Sequence, residues 1–324
     1  MKKVALLVYE DAILSCLSGV IDLFTGTNML MQAEGKDPAF EITLVSEKEQ
    51  NIQLLAPAQF VSCKTIDKVW NADLVIAPAF NGPADAVLQK NAALVKWIRT
   101  MFDSGSEAAS LCFGSYFLAE AGLLNGKSAT SHWMAIADMQ QRYPDVKMLA
   151  DIVMTDQEGI YTSGGAFSSL NLVLYMIEKF CGRDVSIQIS KMFAIDFDRV
   201  SQAHFTVFQG QRRHEDEEIL RAQAYIEQHY HNDISIEQIA EQTNMSKRNF
   251  IRRFKNATQN TPLEYLQRVK IESAKKALEK NNQNISTLMY DVGYNDLKTF
   301  RSIFKRVTGL TPQEYRRKYS RATA

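Results

Sequence analysis

Along the first part of the chain, short apolar runs alternate with longer amphipathic stretches. The runs VALLVY from Val4, ITLV from Ile42, LVIA from Leu74 and AASLC ending at Cys112 are rich in branched or small apolar residues and too brief for core helices. Between them, the segments from Ala84 to Met101 and from Ser168 to Phe180 carry apolar residues at three- and four-residue spacing, the period of a helix with one buried face. This alternation predicts an α/β fold, a mostly parallel sheet flanked by helices in the manner of a flavodoxin-like sandwich. Ligands of such sheets bind beyond the carboxyl ends of the strands. From Asp196 to His214 the periodicity fades into a polar stretch with Gly210, Arg212 and Arg213, which reads as a linker. After it the pattern is helical throughout. Acidic residues from Glu215 open a helix with Ile219, Ala222, Ile226 and Tyr230 on one face, and Asp233 or Ser235 can cap the next. The expected organisation is an α/β domain over 1–195, a linker over 196–214 and an all-α domain over 215–324.

A length of 324 residues suits two cores. The formal net charge of zero hides a division: residues from Ser246 to Ala324 hold 18 Lys and Arg against 6 Asp and Glu, net +12, leaving 19 against 31, net −12, for the rest. A basic end on an acidic body favours a polyanion partner, because each phosphate contacted by a cation releases condensed counterions. Charge alone does not separate DNA from RNA. Cys16, Cys63, Cys112 and Cys181 are widely spaced and form no C-x-x-C pair, as expected of thiols in a reducing cytoplasm. The apolar run after Lys3 is interrupted at Glu10 and Asp11, too early for a signal-peptide core, and no unbroken run approaches about 18 apolar residues. A cytoplasmic chain without a membrane anchor is expected. No cofactor and no metal are expected.

Sliding the chain against itself by 50 residues reveals an internal repeat: Phe250, Phe254, Lys255, Thr258, Thr261, Pro262, Glu264 and Tyr265 recur as Phe300, Phe304, Lys305, Thr308, Thr311, Pro312, Glu314 and Tyr315. Upstream the offset becomes 49, pairing Thr243, Asn244 and Met245 with Val292, Gly293 and Tyr294, so one copy has an extra residue just after the turn. Each copy reads as helix, turn, helix, followed by a helix that Thr-Pro begins. On a helical wheel Phe250 and Phe254 lie together while Arg248, Arg252 and Lys255 face the other way. A helix in the major groove needs such a packed face backed by a cationic one, since arginine can bond guanine twice while lysines hold phosphates. The candidate DNA contacts are Lys247, Arg248, Asn249, Arg252 and Lys255, with Arg248, Asn249 and Arg252 as base readers. In the second copy Lys298, Arg301, Ser302 and Lys305 face outward, a set poorer in direct readout.

These motifs resemble the AraC family of transcription activators over about residues 215–321, most specifically in DVGYNDLKTFRSIFKRVTGLTPQEYRRKY from Asp291 to Tyr319. The chain departs from the family pattern at Met289, where alanine is usual, and at Asn244, where the turn usually has glycine. The resemblance implies two recognition helices in successive major-groove segments of double-stranded promoter DNA, about one helical turn apart, with a homodimer and RNA polymerase as partners.

In the amino-terminal part, SLCFGSYFL from Ser110 to Leu118 places Cys112 after an apolar run and before Gly114 and a helix, the pattern of a nucleophile elbow. His132 in ATSHW could serve it as a base, and TSGGAF precedes a further helix. The other reading of Cys112 is a small buried side chain at a tight turn. These landmarks resemble the PfpI-like branch of the class I glutamine amidotransferase superfamily, in the version fused to AraC-type domains, over about residues 1–195. By that resemblance Cys16, in the segment before LSGVIDLF, stands where the acidic partner of the elbow belongs, Phe113 where active members often have histidine, and IAPAFNG lacks the Gly-Gly of an oxyanion site. The elbow is therefore read as vestigial, with no catalytic residues.

The expected use of the domain is sensing a small-molecule effector, an amino-acid derivative or quaternary amine, in a cleft formed by Cys16, Cys112, Phe113, Tyr116, His132, Trp133 and Phe167. Two alternatives stay open: a redox sensor built on Cys112 with Cys16, and a cysteine hydrolase or glyoxalase-like enzyme with a DNA-binding tail.

Overall fold

A computed structural model describes the chain except residues 49–51, 54–58, 61–62, 198–200, 213, 281 and 321–324. The strands are β1 (Lys2–Leu7), β2 (Phe40–Ser46), β3 (Ile52–Gln53), β4 (Gln59–Phe60), β5 (Lys64–Thr65), β6 (Leu74–Ala77), β7 (Glu107–Ser110), β8 (Ser128–Ala129), β9 (Lys147–Met148), β10 (Met154–Gln157) and β11 (Ile160–Ser163). Seven of them make one sheet in the order β10-β11-β7-β6-β1-β2-β5. Only the β10–β11 pair in it is antiparallel. The central strands β6 and β7 are buried almost along their length, which is why LVIA and AAS show no polar alternation. The apolar runs read from the sequence are β1, β2, β6 and β7, but Cys112 lies beyond β7 in a 3-10 turn, Cys112–Gly114.

The helices of this unit are α1 (Leu14–Ala33), α2 (Ala84–Lys90), α3 (Ala92–Asp103), α4 (Ser115–Glu120), α5 (Ile136–Arg142), α6 (Ser169–Cys181) and α7 (Arg183–Met192). The single amphipathic segment expected from Ala84 to Met101 is two helices, broken at Asn91, whose side chain turns back to the Val87 carbonyl at 2.9 Å. By length and composition α1 could cross a membrane. In the fold its buried residues, among them Leu17, Val20, Leu23 and Phe24, join the core against β2, α6 and α7.

The chain divides into two units, Met1–Gln202 and Ala203–Ala324. The division falls inside the stretch read as linker, 196–214, in which Gln202, Thr206 and Phe208 are held by hydrogen bonds. Gln202 is buried in the first unit, donating to Ser131 O at 2.9 Å and Ala150 O at 3.0 Å and accepting from the Gly165 amide at 3.2 Å. In the second unit the Phe208 amide donates to Glu272 at 3.1 Å, and Lys275 bonds both Glu272 (2.8 Å) and the Thr206 carbonyl. Arg213 and Arg321 lie outside the described residues.

The second unit is all helical: α8 (Glu217–His229), α9 (Ile236–Gln242), α10 (Lys247–Thr258), α11 (Pro262–Lys280), α12 (Ile285–Asp291), α13 (Leu297–Thr308) and α14 (Pro312–Tyr319). Asp216 caps α8, and Ser235, not Asp233, caps α9 through a reciprocal box with Gln238. The repeat is geometric as well as sequential. Phe250 and Phe254 fill one core and Phe300 and Phe304 another, each burial stabilising by roughly 1.5–3 kcal/mol. Tyr265 donates to Glu227 at 2.6 Å and Tyr315 to Glu279 at 2.7 Å. Thr258 and Thr308 both bond back one turn, to Phe254 O and Phe304 O at 2.8 Å. The helix turns need a left-handed residue, supplied by Asn244 (φ 52) and Gly293 (φ 78). Asparagine tolerates that region. At Gly293 a Cβ would also stand 2.7 Å from the His231 carbonyl. The extra residue of the second copy falls between Gly293 and its cap, Asp296, against Asn244 and Ser246 in the first.

Gly114 follows Cys112 because a Cβ there would lie 2.2 Å from the Ala77 carbonyl oxygen, on backbone that cannot yield. Gly114→Ala is expected to destabilise the first unit by about 3 kcal/mol, at the upper end of overpacking costs, measured as a lower midpoint in denaturant.

Candidate functional site

At the carboxyl edge of the sheet the turns after β1, β6 and β7 converge. Cys112 adopts φ 56, a left-handed conformation that costs a non-glycine residue about 1–2 kcal/mol. The surrounding bonds hold it there. The Leu111 amide donates to Ala77 O at 2.9 Å, Ser131 Oγ donates to Cys112 O at 3.0 Å, and Ser115 Oγ donates to Ser131 Oγ at 2.7 Å. The elbow expected at SLCFGSYFL thus forms, with a strand, a strained residue, a glycine and helix α4 in order.

The four cysteines are present as thiols. Cys16 sits at the start of α1, 1% exposed, near the end of β6, and burial raises its pKa against hydrogen bonds from the Ala79 amide and Ser169. A thiol so placed is neutral at ordinary pH and does not replace a carboxylate. Tyr9, which sequence reasoning missed, is buried beside both thiols. Its pKa is raised by burial, then by Cys16, Asp11 and Cys112, and its hydroxyl donates to Pro78 O at 2.7 Å. The only signal for it in the sequence is its place at the end of VALLVY.

His132 lies between two rings, Phe113 at 5.1 Å (interplanar 15°) and Trp133 at 5.3 Å (33°). The three residues are half-buried. Its Nδ1 accepts from the Met134 amide at 3.2 Å, which places the proton of the neutral ring on Nε2, and burial lowers its pKa. Gly165 closes on the ring: a Cβ there would stand 3.1 Å from Cδ2. Beyond it Phe167 is 69% exposed.

Three of the expected cleft residues are buried. Tyr116 is core, 3% exposed, with its hydroxyl committed to Asp138 at 2.7 Å, which also accepts from Arg142 at 2.6 Å. Cys16 is enclosed in the core, and Cys112 too is only 1% exposed, so the accessible part of the constellation is Phe113, His132, Trp133 and Phe167. Gln202, read as linker, is instead part of its base: its carboxamide spans Ser131, Ala150 and Gly165.

In the second unit, Lys247, Arg248, Asn249, Arg252 and Lys255 of α10 and Lys298, Arg301, Ser302 and Lys305 of α13 are all exposed. Arg252 donates to Asn249 Oδ1 at 3.0 Å, so these two side chains are presented together, while Lys247 is paired with Glu237. Arg253, on the flank of the same helix, is turned away to Asp216 at 2.5 Å. Met289, at the position of departure from the family pattern, is 2% exposed and fills the second core.

The fold and its duplicated basic helices define a DNA-binding transcription regulator of the helix-turn-helix type. The chain belongs to the DJ-1/PfpI family, whose model matches residues 3–179, more than half of its length, and residues 239–318 match a helix-turn-helix domain. It is 25% identical over 252 residues to the HTH-type transcriptional regulator CdhR of Pseudomonas aeruginosa, covering 78% of this chain and 74% of that protein. With GbdR of the same species, also an HTH-type transcriptional regulator, it shares 26% over 226 residues, 68% of this chain and 60% of the relative. In fold it is similar to the crystal structure of an AraC family transcriptional regulator from Pseudomonas putida, with TM-score 0.52 and 15% identity over 60% of this chain and 100% of that one.

The lowered pKa of His132 carries a pH dependence. Neutral imidazole is favoured by folding, so this contribution to stability is fully present above the ordinary value of 6.5 and is lost as pH falls below it towards the lowered value in the folded chain. Thermal melts from pH 8 to pH 5 are expected to show this decline, reduced in His132→Gln, and a ring titration by NMR should give a midpoint below 6.5.

Proposed function

We propose that this regulator responds to a small metabolite bound at the elbow cleft, without turning it over, and so alters how α10 and α13 engage double-stranded promoter DNA. The observation that carries the reading is the twice-repeated helix with buried phenylalanines and outward cations. In it Arg248, Asn249 and Arg252 read base edges, Lys247 and Lys255 hold phosphates, and Lys298, Arg301, Ser302 and Lys305 serve mainly the backbone of a neighbouring groove segment. The domains act as 1–195, sensor, and 215–324, DNA binder. The working form is a cytoplasmic homodimer that recruits RNA polymerase.

The effector class is an amino-acid derivative or quaternary amine, because the ring faces of Phe113 and Trp133 offer a cation their quadrupoles. Catalysis is disfavoured by the chemistry present: Cys16 occupies the acid position as a neutral thiol, and a hydrogen bond from a backbone amide, rather than a carboxylate, orients the His132 ring.

A second reading is supported by Tyr9, which lies within electrostatic reach of both Cys16 and Cys112. In it peroxide accepts two electrons and two protons from the pair, forming a disulfide and two waters. Mild peroxide followed by mass spectrometry should then reveal a Cys16–Cys112 bridge and altered operator binding; intact thiols with unchanged binding reject it.

The main reading makes Arg252→Ala lose specific DNA affinity by about 1–3 kcal/mol, with relaxed preference at one base pair and an unchanged melt of the first unit. Titration against operator and scrambled duplexes measures this, and undiminished specific binding would overturn the assignment. A thermal-shift panel of amino acids and betaines, followed by DNA binding with each hit, tests the sensor.

A further inference from the structure

Apart from the elbow, the first unit contains a cavity of about 360 Å³. One wall is Ile152, Val153 and Met154, leading into β10. The other is a face of α6 where Asn171, Leu174, Tyr175 and Glu178 recur at helical spacing, and Phe197 completes it. Phe197 carries the Arg183 guanidinium 5.1 Å over its ring. The polar groups on the rim are committed: Tyr175 donates to Asp156 at 2.5 Å, and Glu178 accepts from Arg183 at 3.0 Å.

Asn171 is different. It is 7% exposed, and among the described residues neither its Oδ1 nor its Nδ2 has a hydrogen-bond partner. Buried amides are almost always bonded, and an orphaned one beside polar neighbours that are already committed needs a reason. Leucine or methionine would fill the same place on α6 without that cost.

We propose that this cavity is a second small-molecule site, for a compact apolar or single-ring molecule ending in a carboxamide or lactam. The ligand C=O would accept from Nδ2 and its N–H donate to Oδ1, a planar two-point pair that satisfies both orphaned atoms. The chemistry selects a neutral group. A carboxylate would set its charge against Oδ1 and the nearby Glu178, and an ammonium could not use the Nδ2 donor. The volume lies at the small end of ligand pockets, which suits one ring rather than a nucleotide. An occupant would also pack on Phe197, in the segment that leads out of this unit.

The test uses the full chain with benzamide and ε-caprolactam as probes, followed by methyl NMR. Saturable binding is expected, with shifts centred on the methyls of Ile152, Val153, Met154 and Leu174. Acetophenone, which keeps the ring and carbonyl but lacks the N–H, should bind at least about ten-fold more weakly; this comparison needs no variant. Asn171→Leu should weaken both amides to the same degree while raising the melting temperature of the unliganded chain by about 2–4 °C, since it removes the orphaned polar atoms. Absence of saturable binding by both amides, acetophenone binding as tightly as benzamide, or shifts centred elsewhere would overturn the proposal. So would unchanged amide affinity in Asn171→Leu.

Discussion

Parallel pairing of β1, β6 and β7 makes three turns leave the sheet at one edge, and the elbow depends on that constraint. Tyr9 after β1, the Pro78–Phe80 stretch after β6 and Cys112 after β7 meet because parallel strands have no other place to end. Their proximity then dictates detail. Gly114 must lack a Cβ to pass the Ala77 carbonyl, Ser131 must hold the Cys112 carbonyl, and the strained backbone at Cys112 persists because bonds on every side over-determine it. Cys16 also belongs to this edge, through the Ala79 amide, so a thiol stands in the enclosure where a charged acid would have to be desolvated.

The second unit solves one problem twice. A short recognition helix cannot stand on its own propensity and needs an apolar face buried against its neighbours. The phenylalanine pairs supply that face, and the tyrosines then fasten each copy to the preceding long helix through a glutamate, Glu227 or Glu279. With the inner face so anchored, the outer face is free to be almost wholly polar, and α10 presents cations and carboxamides there, α13 cations and hydroxyls. The start of this unit is fixed by a buried ion pair: Glu272 and Lys275 are 10% and 5% exposed at the side chain and hold Phe208 and Thr206. Removing one partner of such a pair typically costs about 3–5 kcal/mol, so Thr206 and Phe208, within the stretch read as linker, are anchored.

Periodicity carries the elements whose burial is one-sided or complete. That is why β1, β2, β6, β7 and the repeat of the second unit could be read directly, down to the extra residue after the second turn. It fails where the deciding contact is distant. The β10–β11 hairpin leaves a faint trace, since its place in the sheet is settled by the pairing of β11 with β7, far along the chain. The same holds for Gln202: nothing in a polar stretch announces a carboxamide that will be buried against Ser131, Ala150 and Gly165.

By itself the sequence determined the two-part organisation, the regulator class, the elbow and the positions of the outward cations, because these rest on spacing along one segment, where three or four residues make a face. The tertiary structure alone decided which members of the aromatic set remain accessible. Tyr116 and Phe113 are three residues apart on the same turn, yet one is committed to Asp138 in the core and the other stacks on His132 at the surface. It also decided that Asn171, on the buried face of α6, would line a cavity with neither end of its amide bonded among the described residues. Burial is a property of the neighbours a residue acquires on folding, and those neighbours come from parts of the chain that local pattern does not reach.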